Sequence, residues 1–188
     1  MPTPHRPARR VEVARLVPVE ASVAFAWVAD PRTHPRWIPL TRMASPVPPE
    51  PVEGSPRGPE SGDRITMVSG PGVGLAGDGR LRGLLARAAV TDSMVIESIE
   101  RPSTSASRVG RTRLRKLGPV LLGDAGFDVV PVDADRCRVV WWEEAYLAEG
   151  AAGPLPRRLT DPLVRLGLGA MMRVSLARLA RRLAGRGR

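Results

Sequence analysis

Cysteine is almost absent from this chain of 188 residues, since Cys137 is the only one. A single thiol excludes an internal disulfide and a structural zinc site built on cysteines. The two histidines, His5 and His34, have no second histidine or carboxylate at ligand spacing, so we expect no metal site and no cofactor. No charge-free apolar stretch approaches the ~20 residues of a membrane span, and no signal-peptide core follows the polar start. These absences predict a cytoplasmic protein.

Asparagine and glutamine are missing altogether, aromatic residues make up only 4% of the chain, and Lys116 is the single lysine among 29 basic residues. This composition is typical of the coding bias of a GC-rich, bacterial genome. The net charge of +10 is therefore weak evidence for a phosphate-binding surface. We expect no specific nucleic-acid partner on charge alone.

The hydrophobic pattern predicts an α+β domain. Residues 11–19 are typical of a first strand, and 20–29 carry apolar residues at helical spacing. A second short helical turn begins at Asp30-Pro31 and ends near Trp37. Further strands are predicted at 64–69, 94–99, 107–117, 120–130 and 137–147. Short turns between successive strands, at Gly118-Pro119 and at 132–136, indicate an antiparallel sheet.

A long amphipathic helix ends the pattern. Thr160 or Asp161 is expected to cap it, with Pro162 at its start, and it runs to about Leu183. Six apolar residues share one face of this helix: Val164, Leu168, Met172, Leu176, Leu179 and Leu183. This face must cover the sheet, which is the only partner that the pattern offers.

Two segments interrupt the pattern within a single domain over 11–184, which we expect between flexible tails at 1–10 and 185–188. Residues 44–62 include six prolines and few large apolar side chains, which predicts a mobile loop. Residues 70–79 are rich in glycine, and 72–77 match GxGxxG. Because no further βαβ units follow, a flexible glycine loop is favoured over a dinucleotide site.

Two charges lie on faces that are otherwise apolar. In the strand 137–147, Trp141 and Glu143 share the inward face, and a buried carboxylate is costly unless it is paired or faces a cavity. Arg165 projects onto the apolar stripe of the long helix. We expect Glu143 and Arg165 to pair across a cavity and to hold the polar end of a ligand. The alternative is that each side chain simply reaches solvent.

The order of elements and several segments resemble the START/polyketide-cyclase-like superfamily, also called SRPBCC. The resemblance is carried by VPVEASVAFAWVADPRTHPRWIP (17–39), DSMVIESIERP (92–102), GFDVVP (126–131), VVWWEEAYL (139–147) and SLARLARRLAG (175–185). It implies a helix-grip fold, in which a curved antiparallel sheet wraps around the C-terminal helix, with two short helices after the first strand. It also implies an apolar cavity between sheet and helix.

Members of this superfamily bind lipids, sterols or polyketides, and some catalyse cyclisation or dehydration. The resemblance therefore implies a protein that binds a small apolar molecule, with cyclase or dehydrase activity as an open possibility. The residues expected to contact the ligand are Met94, Phe127, Trp141, Glu143, Arg165, Leu168 and Met172. Glu143 is the candidate acid or base. The alternative function is a basic peripheral protein whose arginine-rich helix binds anionic membrane or nucleic acid.

Overall fold

Seven strands form one antiparallel sheet in the computed structural model, which describes residues 10–45, 58–70, 73, 89–151, 153 and 157–185. The strands are β1 (Val11–Val17), β2 (Thr41–Ser45), β3 (Arg64–Ser69), β4 (Val90–Glu100), β5 (Gly110–Pro119), β6 (Leu121–Pro131) and β7 (Cys137–Leu147). Their order across the sheet is β1-β7-β6-β5-β4-β3-β2. Every pair of neighbours in the sheet is antiparallel.

Two short helices and one long helix complete the fold. Helix α1 (Ala21–Ala29) and a 3-10 helix (Pro31–Arg36) follow β1, as predicted. Asp30 caps the 3-10 helix because its carboxylate accepts a hydrogen bond from the backbone N–H of Arg32 at 3.0 Å. Helix α2 (Arg157–Ala184) packs mainly on β1 and β7. This is the helix-grip architecture, so the predicted α+β class is confirmed.

The apolar stripe of α2 is buried as its periodicity predicts. Met172, Leu176, Leu179 and Leu183 are fully buried, and Leu168 is partly buried against the same core. The predicted start of the helix is wrong, since α2 begins at Arg157 and contains Pro162. Proline costs one helical hydrogen bond here, because its missing N–H would have paired with a carbonyl in the preceding turn.

The predicted turn at Gly118-Pro119 is confirmed, because Leu117 of β5 pairs with Leu122 of β6 and the chain reverses over the residues between them. Both residues also extend β5 along β4, and the peptide bond between them is cis. Gly118 has φ +88°, a conformation that glycine adopts without a Cβ penalty, which lets β5 end with this sharp change of direction. The predicted turn at 132–136 is confirmed, because β7 begins at Cys137.

Ion pairs cover the convex face of the sheet. Arg111, Arg113 and Arg115 of β5 pair with carboxylates of the neighbouring strands, namely Glu100, Asp128 and Glu97. The guanidinium groups of Arg10 and Arg113 also lie over the ring of Trp142, at 4.5 and 5.0 Å from its centroid. The arginines of β5 are therefore engaged within the sheet and do not form a free cationic stripe.

Most of the two interrupting segments lies outside the described residues. The proline-rich segment predicted at 44–62 is described only at its ends, where Ala44 and Ser45 complete β2. The glycine-rich segment at 70–79 is described only at Gly70 and Val73, so its GxGxxG motif lies outside the description. Residues 1–9 and 186–188 lie outside it as well. Within the described ranges, no helix has the length and apolar character that a membrane crossing requires.

Candidate functional site

A buried cluster of three charges lies on the concave face of the sheet. The Lys116 Nζ atom is 2.5 Å from Asp92 Oδ2 and 3.2 Å from Glu143 Oε2. The side chains of Lys116 and Glu143 are only 3% and 4% exposed, and that of Asp92 is 14% exposed. We call these three residues the charged cluster.

Strand alternation and two small residues place the cluster. Thr112, Leu114 and Lys116 alternate with arginines along β5, so the single lysine lies on the buried face. Glu143 lies two strands away on β7, and β6 runs between them. Gly123 is the β6 residue opposite Lys116, and Ala125 is the one opposite Glu143.

Their small side chains leave the space through which Lys116 reaches Glu143. Gly123 has φ +115°, and a Cβ there would lie 2.1 Å from the backbone oxygen of Glu144. Only glycine fits this close approach of β6 and β7. The sequence of β6 therefore permits a long side chain on β5 to reach β7.

Electrostatics keeps Lys116 charged. Burial lowers the pKa of Lys116, but the negative charges of Glu143 and Asp92 more than offset this, so its pKa lies above 10.5. With both carboxylates ionised, the cluster has one positive and two negative charges. Asp92 Oδ1 is buried without a hydrogen-bond partner among the described residues, and the buried Glu143 Oε2 has the Lys116 ammonium 3.2 Å away as its partner. A carboxylate oxygen can accept two hydrogen bonds, so both oxygens keep acceptor capacity.

The expected pair between Glu143 and Arg165 is wrong. The cationic partner of Glu143 is Lys116, and Arg165 makes no ion pair with any described residue. Arg165 is half-buried, and its Nε atom has no hydrogen-bond partner in the part of the chain that the structure describes. The projection of α2 gave the face of Arg165 correctly, but it carried no information on the distance to β7. A cation on a neighbouring strand of the same sheet satisfies Glu143 instead.

A small apolar cavity lies beside the charged cluster. It is bordered by α1, the 3-10 helix and strands β3, β4 and β5, and its lining includes Val28, His34, Ile65, Met94, Ile99 and Leu114. This cavity therefore does not lie at the predicted place between the sheet and α2, since no described residue of α2 lines it. Its volume of about 10 Å³ has room for about one water molecule. Met94 lines this cavity and is also the register partner of Lys116 on β5. The apolar cavity and the charged cluster therefore meet at Met94.

A cluster of four aromatic rings lies next to the cavity. The rings of His34, Trp37, Phe127 and Trp141 pack edge-on or tilted, with centroids 5.1 to 5.9 Å apart. Burial lowers the pKa of His34, and its Nε2 atom lies 3.0 Å from the carbonyl oxygen of Val28. The neutral ring donates this hydrogen bond. Sequence reasoning placed Phe127 and Trp141 inside but missed the two residues of the 3-10 region.

The structure brings together some of the residues that were predicted to contact a ligand and separates others. Met94 and Glu143 both approach Lys116, whereas Phe127 and Trp141 belong to the aromatic cluster. Met172 and Leu168 of α2 lie in or against the main core. Lys116 and Asp92 were missed as site residues. The signal in the sequence was that the single lysine occupies an inward position of β5, whereas the other basic residues of this strand are all arginines.

The remaining candidates for chemistry do not form a site in the described part of the chain. No group of three or more metal-binding side chains occurs among the residues that the structure describes. Cys137 is buried at the start of β7, and burial raises the pKa of its thiol to about 11. A thiol with this pKa is a poor nucleophile near neutral pH.

Comparisons with known proteins agree with this geometry. The family described as polyketide cyclase / dehydrase and lipid transport matches residues 8–184. No curated protein matches the chain significantly. The Zhui aromatase/cyclase from Streptomyces sp. R1128 has a similar fold, with a TM-score of 0.61 and 16% identity over 96% of both chains.

Two further solved structures extend the comparison. A protein of unknown function from Staphylococcus aureus has a TM-score of 0.59 and 8% identity over 95% of both chains. The di-domain aromatase/cyclase BexL from the BE-7585A biosynthetic pathway has a TM-score of 0.50 and 17% identity, over 92% of this chain and 45% of BexL. At these identities the likeness is one of fold, while the family match covers almost the whole chain. The chain therefore belongs to the polyketide cyclase / dehydrase and lipid transport family.

Proposed function

We propose that the protein binds a small apolar molecule of the polyketide or aromatic type at the cavity that α1, the 3-10 helix and strands β3 to β5 border, with the polar end of the ligand at the charged cluster. The observation that carries the proposal is the buried trio of Lys116, Asp92 and Glu143. Three charges in the interior are costly to fold around, and such groups are common where chemistry or recognition requires them. Two solved proteins with similar folds are titled as aromatase/cyclases, which supports a ligand of this class.

The same trio can carry acid–base chemistry of the cyclase or dehydrase type. A carboxylate such as Glu143 can accept a proton from a carbon next to a carbonyl group. The ammonium of Lys116 can donate a hydrogen bond to the carbonyl oxygen, where negative charge develops as the enolate forms. The raised pKa of Lys116 keeps this donor charged at neutral pH. We propose that these roles operate in the bacterial cytoplasm.

Binding requires side chains to move. An aromatic ligand occupies several hundred Å³, whereas the described cavity measures about 10 Å³. Met94 is suited to yield, because methionine is unbranched and adapts its shape at low cost. Ile65 and Ile99, which also line the cavity, are β-branched and stiffer.

Ligand binding is tested with a neutral fluorescent probe, N-phenyl-1-naphthylamine. We expect its fluorescence to rise on binding, and the melting temperature to increase with probe concentration. Met94→Trp should fill the space beside the cluster and weaken binding at least about tenfold, which corresponds to 1.4 kcal/mol. Met43→Trp on β2 is a matched control, since Met43 packs against the core but does not line the cavity. Saturable binding that Met94→Trp leaves unchanged would contradict the proposed location.

A different observation favours a second function, peripheral binding to anionic membranes. One face of α2 carries large apolar side chains that are 50% to 68% exposed: Leu159, Leu163, Leu166 and Val174. They fall within about 80° of one another at 100° per residue. Asp161 is the one acidic residue of a helix that carries seven arginines. Exposed leucines beside arginines are typical of helices that lie in the lipid headgroup region.

Sedimentation with lipid vesicles separates this function from the first. We expect binding to vesicles that contain phosphatidylglycerol, weaker binding at high salt, and no binding to neutral vesicles. The double substitution Leu163→Ser and Leu166→Ser should abolish it, while Leu16→Ser on β1, which is 49% exposed, should not. Equal binding by both variants, or salt-sensitive binding to DNA without vesicle binding, would reject a membrane role.

A further inference from the structure

The charged cluster has spare hydrogen-bond acceptor capacity and more negative than positive charge. Asp92 Oδ1 is buried without a hydrogen-bond partner among the described residues, and the buried Glu143 Oε2 has only its ion pair with Lys116. From this we infer that the polar end of the ligand is a neutral hydrogen-bond donor, such as an enol, a phenol or an alcohol, and that the site rejects carboxylates. The inference rests on the proposed function and specifies the ligand class for the same site.

The first argument concerns hydrogen bonds. The Lys116 ammonium donates to Asp92 Oδ2 at 2.5 Å and forms an ion pair with Glu143 Oε2 at 3.2 Å. A buried acceptor without a donor costs free energy, and the cost is largest for charged groups. A ligand hydroxyl supplies the missing donor. An ether or a bare aromatic edge supplies none, so it leaves the carboxylate oxygens as they are.

The second argument concerns charge. One ammonium faces two carboxylates, so the ionised cluster has a net charge of −1 in a place where side chains are 3% to 14% exposed. A carboxylate ligand would raise this to −2 at short range and low hydration. The positive charge of Lys116 is already shared between two anions, and no other described residue forms an ion pair with the cluster. A fatty acid or an aromatic acid is therefore disfavoured with its head group at this point.

The third argument concerns the polar groups along the apolar lining. Thr112 accepts a hydrogen bond from the backbone N–H of Phe127 through its Oγ1 atom, at 3.2 Å. His34 Nε2 is engaged with the carbonyl oxygen of Val28. Both groups line the cavity, and both have partners in the protein. A ligand hydroxyl that reaches past Met94 therefore finds its acceptors in Asp92 and Glu143.

The test uses three molecules that share a naphthalene ring and differ only in the polar group. They are 2-naphthol, which donates a hydrogen bond, 2-methoxynaphthalene, which does not, and 2-naphthoate, which is anionic at pH 7.5. Each displaces bound N-phenyl-1-naphthylamine from the full-length protein. We expect 2-naphthol to displace the probe at a concentration at least about tenfold below that of 2-methoxynaphthalene. 2-Naphthoate should be the weakest of the three.

Two variants assign these differences to the cluster. Glu143→Gln and Asp92→Asn each bring the net charge of the cluster to zero. In each variant the affinity for 2-naphthoate should therefore rise at least about fivefold relative to the affinity for 2-methoxynaphthalene. Glu144→Gln is the matched control, because Glu144 neighbours Glu143 on the opposite face of β7 and should change nothing. Circular dichroism checks that each variant is folded. Asp92 is the more exposed of the two carboxylates, so Asp92→Asn should disturb folding less than Glu143→Gln.

The outcomes separate the inference from the proposed function. If the probe binds while 2-naphthol and 2-methoxynaphthalene compete with equal affinity, or while 2-naphthoate is the best competitor, the inference is overturned. Either result leaves the proposed binding site intact. The same fivefold gain in Glu144→Gln also overturns it, since the selectivity would then come from overall charge. No binding of the probe or of any naphthalene overturns the proposed function, and the inference with it.

Discussion

Replacing Lys116 with methionine removes the one cation that, among the described residues, pairs with both Asp92 and Glu143. Methionine has a similar length and no charge, so the substitution leaves the packing of β5 nearly unchanged and isolates the electrostatic effect. Glu143 would then be an uncompensated charge whose side chain is 4% exposed, beside Asp92 at 14%. We expect Lys116→Met to destabilise the fold strongly.

The magnitude follows from the burial of the cluster. Removing one partner of a buried ion pair costs about 3–5 kcal/mol, because the other charge stays buried without compensation. Asp92 is the more exposed of the two anions and regains part of its hydration, so we expect the lower end, about 3 kcal/mol. For a chain of this length the melting temperature should fall by roughly 6–12 °C.

Urea denaturation followed by circular dichroism measures this loss. Arg115→Met is the matched control, since Arg115 directly precedes Lys116 on β5 and the side chains of its pair with Glu97 are 59% and 42% exposed. An exposed pair of this kind contributes at most about 1 kcal/mol. Adding Asp92→Asn and Glu143→Gln to Lys116→Met should recover most of the stability, because no charge is then left unpaired. A cost for Lys116→Met no larger than that for Arg115→Met would refute the reasoning.

Three further predictions test the surroundings of the cluster. Gly123→Ala should lower the free energy of unfolding by more than about 2 kcal/mol, since its Cβ would meet the Glu144 backbone oxygen. Gly167→Ala, in open space on α2, should instead raise it by about 0.5–1 kcal/mol, and urea titration measures both changes. The lowered pKa of His34 means that the unfolded chain binds the proton more readily, so stability should decrease below pH 6.5, and His34→Gln should flatten that slope. Because the pKa of Lys116 is raised in the folded state, its contribution to stability is complete below pH 10.5 and is lost as the pH rises through the folded-state pKa. Lys116→Met should lack this loss of stability at alkaline pH.

Periodic burial explains what the sequence could predict. Alternation along β7 placed Trp141 and Glu143 on the inward face, where both are buried. The helical period likewise identified Met172 and Leu176 as core residues of α2. In both elements the side chains on one face share one environment, so the order of residues along the element is enough to assign them.

Features that depend on contacts across the sheet could not be derived in this way. Strand β2 (Thr41–Ser45) was not predicted, because Met43 is the only large apolar residue in its sequence and the buried Thr41 beside it on the same face is polar, so no apolar alternation marks it. Its pairing with β3 decides its structure, and the local pattern does not report on that pairing.

The charged cluster shows the same limit most clearly. Lys116 and Glu143 are brought together by two registers, β5 with β6 and β6 with β7, and by the small size of the β6 residues between them. A helical projection could suggest a cation on α2 as the partner of Glu143. It could not compare the distance from that cation with the distance from Lys116 across β6. The strand partner lies on the same concave face, on the far side of β6, and its Nζ atom reaches Glu143 Oε2 at 3.2 Å. A buried charge on a strand is therefore best matched first with opposite charges on the same face of the sheet, and the single inward lysine of β5 is the residue that this rule selects.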